Sequence, residues 1–209
     1  MLGYTKFLET LLSDRNGLKV HSIHFVEVGL FDKKTKEKLE YVGLGSFEPI
    51  YFSSKGEDYC ENGMLNSNSS TKGCAIAIEV DGLIEQVVLI QKTFSYEAGL
   101  NPEFQEDWKS MLQLITLAHE LGHVEDMQRE KDSNFVYGAN PTVDLVEAEA
   151  YAHAYCLNYL HKIDAYTARN TLAKALYQLN RATKRFEKLL YSSVCAKVGK
   201  GRIKKWSSA

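Results

Sequence analysis

Near residue 100 of this 209-residue chain the spacing of apolar residues changes, and that change limits the fold more than any other feature. Before it, apolar residues come in short, partly alternating runs broken by Gly, Asn and Asp. After it they recur every three or four positions. Period two belongs to half-buried strands and a period near 3.6 to amphipathic helices. One short helix precedes the strands: Phe7, Leu8, Leu11 and Leu12 share a face, and Asn16-Gly17 ends it. Residues 20–30 then read as a strand, residues 41–52 as one or two more, and residues 53–73, rich in Ser, Asn and Gly, as a long loop. Residues 75–80 and 83–94 flank Asp81-Gly82, the strongest hairpin signal in the chain.

Beyond residue 100, Pro102 opens a helix to about residue 129 and Asn140-Pro141 opens another to about residue 163. A third spans about 165–191, with Ala168, Leu172, Ala175, Leu179, Ala182, Phe186 and Leu190 on its stripe. Strands followed by helices imply an α+β fold, with an N-terminal helix and an antiparallel sheet leading into a helical half. The expected organisation is one domain over residues 1–195, β-rich at 18–94 and helical at 102–195. A flexible basic tail at 196–209 would follow.

Apolar residues make up 44% and charged residues 25% of the chain, which excludes wholly disordered, collagen-like and coiled-coil classes. There is no run of 18 uncharged apolar residues, so no membrane span is expected. Lys6, Glu9 and Asp14 interrupt the N-terminal apolar stretch, which argues against a signal peptide. The four cysteines lack CxxC spacing and are expected as reduced thiols in a cytoplasmic protein, although Cys60 and Cys74 flank the loop and would be placed to pair after export. The net charge of -2 conceals an uneven distribution. Residues 1–161 hold 13 Lys/Arg against 25 Asp/Glu (net -12), and residues 162–209 hold 12 against 2 (net +10). Such a split serves internal docking, or attraction of an anionic partner such as nucleic acid.

The chemistry concentrates in 118-AHELGH-123. His119 and His123, four apart, point from one helical face and can converge on a single metal ion; zinc is the usual occupant. Glu120 lies about 100° further round, where a carboxylate can take a proton from metal-bound water. Gly122 leaves the backbone beside the site accessible. A third ligand is best sought in 144-DLVEAEAYAHAY-155, where Glu147 and Glu149 lie 24 and 26 residues past His123, enough for a turn and a returning helix. Two apart, they face opposite sides, so one alone should reach the metal. Glu149 is favoured over Glu147, with His153 one turn on as a further ligand or a group that orients one.

HELGH followed by EAEAYAHAYCL resembles the zinc metallopeptidases of the gluzincin type and, more narrowly, is similar to the ImmA/IrrE family over about 40 residues. That pattern sets Glu149-Ala150 on the family's ligand Glu-Ala, and Ala154 and Leu157 on its later apolar positions. Tyr151 and His153 stand where the family usually has Asn and Phe, and its Leu-Leu-Met-Pro ending is absent. The resemblance implies a zincin fold holding one Zn2+ per chain through His119, His123 and Glu149. The implied activity is hydrolysis of peptide bonds in a protein or peptide substrate, with Glu120 as general base. An oxyanion donor is then needed opposite the metal, and Tyr137, His153, Tyr151 and Tyr155 are candidates. The strand ending near Phe94 would offer an edge to an extended peptide. His21 and His24 are three apart on a strand, face opposite sides and make no ligand pair. The 12 tyrosines are too dispersed along the sequence for a stacking platform. A reading of another class is a regulatory, DNA-associated binding protein that uses the basic C-terminal segment; a secreted or injected protease is the third.

Overall fold

A computed structural model describes residues 3–26, 49–50, 73–80, 83–91, 102–130 and 141–209. Among them helices outweigh strands, in the order α1 (Tyr4–Asp14), β1 (Ser22–Val26), β2 (Pro49–Ile50), β3 (Gly73–Val80), β4 (Leu83–Gln91), α2 (Pro102–Glu130), α3 (Pro141–Lys162), α4 (Tyr166–Leu179), α5 (Arg185–Val198) and α6 (Lys200–Ser207). The loop at 53–72, the Asp81-Gly82 turn, Cys60 and Tyr137 lie outside the described residues.

Helix α1 buries Tyr4, Leu8 and Leu11 and ends where Arg15, Asn16 and Gly17 take positive φ, with Asp14 accepting a hydrogen bond from the Asn16 N–H at 2.9 Å. It is tied to the helical half at both ends of Tyr4. Its N–H donates to Asp107 Oδ1 at 2.9 Å, and its hydroxyl accepts from the Ala168 N–H at 3.0 Å.

The four strands are ordered β1-β4-β3-β2. β3 and β4 pair antiparallel from Val80↔Leu83 to Gly73↔Ile90, the hairpin expected from the sequence. β1 pairs with β4 in parallel, Ile23 opposite Val88 and Phe25 opposite Ile90, so the sheet is mixed and the antiparallel expectation is corrected. Periodicity reports which face of a strand is buried and not its direction, which is why the sequence could not reveal this. β4 is flanked on both sides, so the strand expected to offer a free edge is interior. Ile23, Phe25, Ala75, Val88 and Ile90 form the sheet face that joins the core.

The 29 residues of α2 make a rod about 43 Å long against which α1, the sheet and α3 all pack. Met111, Leu114, Leu117, Ala118, Leu121 and Val124 are therefore buried almost completely. The remaining helices close the other side of α3.

Two expectations fail here. The helix expected over 165–191 is two, α4 and α5, with a break in which Lys184 is extended. The apolar period runs straight across the break, but Asn180 and Thr183 favour turns, and the reversal lets α5 return along α3. The C-terminal tail is helical. Gly199, at φ 99°, joins α5 to α6, which buries Ile203 and Trp206 against α4. The Trp206 ring lies 4.7 Å from the Arg169 guanidinium and 4.8 Å from that of Arg202, so both cations cover it. No helix among the described residues is long and apolar enough to cross a membrane.

Trp206→Ala should therefore lower unfolding free energy by about 3 kcal/mol in urea titrations. A frayed tail would leave the midpoint unmoved.

Candidate metal centre

The rotation of α2 aims His119 and His123 at α3, and Gly122 lets α3 come close. A Cβ on Gly122 would lie 2.7 Å from Ala152 Cα and 3.1 Å from its carbonyl oxygen, so the two helices touch backbone to backbone there. The site is not left open at Gly122 as expected from the sequence; it is closed by α3. Residues flanking Ala152 are thereby delivered to the two imidazoles.

Glu149 is the carboxylate that arrives. Its oxygens stand 3.4 Å from His119 Nε2 and 3.5 Å from His123 Nε2, and the two Nε2 atoms are 3.2 Å apart. A tetrahedral ion with bonds of about 2.0–2.1 Å has donor–donor edges of about 3.3–3.4 Å, so the spacing suits one such ion. The three side chains are 15%, 17% and 14% exposed, largely buried but still reached by solvent. Their charges are already interdependent. Burial on its own would lower the affinity of His123 for a proton, but hydrogen bonding and charge from Glu149, with the charge of Glu120, raise its pKa to about 9. Burial likewise opposes ionisation of Glu149, and His119 and His123 overcome it, holding that carboxyl well below its ordinary range. A bound cation would take over the role of that imidazolium proton and must displace it.

His153 is the fourth member. Its donor atom, that of His119 and a Glu149 oxygen all lie within 4.8 Å of one another, and its ring centroid is 4.4 Å from that of His119. Burial, then the neighbouring charge of His119, push its pKa down to about 3, so it is neutral. Its Nδ1 and the Nδ1 of His119 are buried without a hydrogen-bond partner among the described residues. The triangle formed with His123 is the tighter one.

Glu120 is 6% exposed and lies beside the cluster under β3. Burial raises its pKa, the charge of Glu149 adds to this, and His119, His123 and a hydrogen bond from the Ala75 N–H oppose it. β3 passes so close that a Cβ on Gly73 would sit 2.7 Å from Glu120 Oε1 and 2.6 Å from Thr116 Cγ2. Gly73 was missed in the sequence because a glycine opening a strand carries no motif.

The other candidates are elsewhere. Glu147 points to α5, where it accepts from the Ser193 hydroxyl and pairs with Lys197 Nζ at 3.0 Å. Those contacts, the Ser193 hydrogen bond foremost, lower its pKa. Tyr151 donates to Glu125, and the Tyr155 hydroxyl accepts from Asn16 Nδ2 at 2.6 Å, so neither hydroxyl is presented to the metal cluster. His21 pairs with Glu85 on the sheet. Compared with protein-family models, curated proteins and solved structures, the chain matches none.

Gly122→Ala separates helix propensity from packing. An Ala in a helix interior ordinarily gains about 1 kcal/mol over Gly. Here the added methyl meets the Ala152 backbone, and overpacking of that kind costs about 1–3 kcal/mol. Urea unfolding and zinc titration should show lower stability and weaker metal binding. A more stable variant with unchanged metal affinity would contradict the contact.

Proposed function

We propose that the chain is a zinc-dependent peptidase acting in the cytosol on a protein or peptide substrate, with His119, His123 and Glu149 holding the metal. The observation that carries the reading is the placement of Glu120, buried beside the imidazole–carboxylate triangle without belonging to it. Two neutral imidazoles and one carboxylate leave a bound Zn2+ with a net positive charge. Zinc there would supply Lewis acidity, polarising a peptide carbonyl and making an adjacent water more acidic.

The chain's own residues supply the proton transfers. Glu120 takes a proton from the attacking water and returns it to the leaving amine. A carboxyl whose pKa is raised by burial is suited to both halves of that cycle. The Ala75 N–H fixes its orientation, and Gly73 lets β3 lie near enough to do so. His153, neutral and packed against the ring of His119, would orient that ligand. The likeness of HELGH and EAEAYAHAYCL to gluzincins, and to the ImmA/IrrE family, supports the same assignment.

Metal analysis of purified protein should give about one zinc per chain. Glu149→Gln should lose most of that zinc and Glu147→Gln should retain it. Glu120→Gln should keep the zinc and reduce peptide cleavage by about 10²–10⁴-fold. Cleavage that survives Glu120→Gln would refute the mechanism.

A second reading, a DNA-associated binding protein, is favoured by one observation. Lys200, Arg202, Lys204 and Lys205 of α6 are all exposed, and the helix holds no acidic residue. Because α6 carries Trp206 into the core, charge reversal at Lys200, Lys204 and Lys205 is a cleaner test than truncation. Salt-sensitive binding of duplex DNA that is lost in the triple variant would support this reading. Binding that is absent, or unaffected by salt and by the variant, would dismiss it.

A further inference from the structure

Tyr151, Tyr155 and Tyr159 follow one another at intervals of four on α3 and form a single stripe. At about 100° per residue, that stripe lies roughly 100–180° round the helix from the edge that carries Glu149 and His153. The three phenols, dispersed among 12 tyrosines in the sequence, gather here in a cleft of about 560 Å³. Small-molecule sites typically fall between about 300 and 1,000 Å³.

Three cations from three helices reach the same cleft: Arg129 from α2, Lys162 from the end of α3 and Lys197 from α5. Among the described residues one acidic side chain, Glu125, lines it with them, and it accepts a hydrogen bond from the Tyr151 hydroxyl. The Arg129 guanidinium lies 4.5 Å and Lys197 Nζ 6.0 Å from the centroid of the Tyr151 ring. Arg129 is held by Asp126 at 2.7 Å and Lys197 by Glu147 at 3.0 Å, but the contact of Lys162 is the neutral Asn16 Oδ1 at 3.5 Å. Lys162 is therefore the cation with charge to offer. Asn158 completes the wall with an exposed amide that can both donate and accept, while the Asn16 amide is engaged by Tyr155 and Lys162.

Each of these features selects against a simpler ligand. A bare anion would not use a stripe of aromatic rings. A neutral ring would leave Lys162 without a counter-charge. We propose that this cleft binds a nucleoside monophosphate, its base against Tyr151 and Tyr155, the base's edge met by the Asn158 amide and its phosphate by Lys162, with the paired Arg129 and Lys197 adding positive charge nearby. The site shares no side chain with the metal centre, although Tyr155 adjoins the Gly122–Ala152 contact and Asp126 lies between Arg129 and His123.

Calorimetric titration of the full chain with the four nucleoside monophosphates, the matching nucleosides and inorganic phosphate tests this. At least one monophosphate should bind one per chain with sub-millimolar affinity, and its nucleoside and phosphate alone should each bind about tenfold more weakly or worse. Lys162→Glu, at an exposed position, should weaken binding about tenfold, the effect of roughly one charge-assisted contact. Tyr155→Leu should weaken it independently by removing a ring. Glu120→Gln and metal-free protein should bind as the parent does, so failure of the peptidase reading leaves this result standing. No binding by any monophosphate at millimolar concentration, phosphate alone binding as tightly, or an unchanged affinity in Lys162→Glu would each overturn the proposal.

Discussion

Everything the chain assembles around its chemistry depends on α2 and α3 meeting at Gly122 and Ala152. With no side chain at Gly122 the helices approach closely enough for the next turns to share one small space. His119 and His123 enter it from one helix, Glu149 and His153 from the other. A single methyl group at the contact would separate donors that now stand 3.2–3.5 Å apart. The rest of the fold holds these two rods in register. α1 and the sheet brace α2, α5 runs along α3, and α6 clips the C-terminus into the same core with Ile203 and Trp206.

The electrostatics follow from that crowding. Two carboxylates and three imidazoles share a volume where charge is costly, and their proton affinities spread accordingly. Glu149 stays ionised because two imidazoles face it. Glu120, sheltered under β3, is driven the opposite way by burial. His153 is kept neutral. Two carboxylates of divergent proton affinity, side by side, are the arrangement that the proposed acid–base chemistry would use.

How much of this was legible in the sequence depends on how local each feature is. His119, Glu120 and His123 were readable because four residues along a helix always return to one face. The hairpin was readable because Asp81-Gly82 announces a turn between two β-rich runs. Glu149 was favoured over Glu147 from the family pattern and its His153 partner, but the rotation of α3 that brings it to the imidazoles is set where Gly122 meets Ala152, which no spacing reports. The parallel pairing of β1, the break between α4 and α5 and the burial of α6 are all tertiary outcomes. α6 was hidden by its own charge: six of its eight residues are Lys, Gly, Arg or Ser, and two large apolar residues sufficed to anchor it. The tyrosine stripe was concealed in a different way, by the dispersal of the other tyrosines along the chain.

The most direct test of the central claim is X-ray absorption at the zinc edge, combined with an anomalous difference map from crystals of the zinc-loaded protein. The expected result is one ion with two imidazole nitrogens and a carboxylate oxygen at about 2.0–2.1 Å, located between His119, His123 and Glu149. A zinc ion bound elsewhere, or no anomalous density between those three side chains, would contradict it.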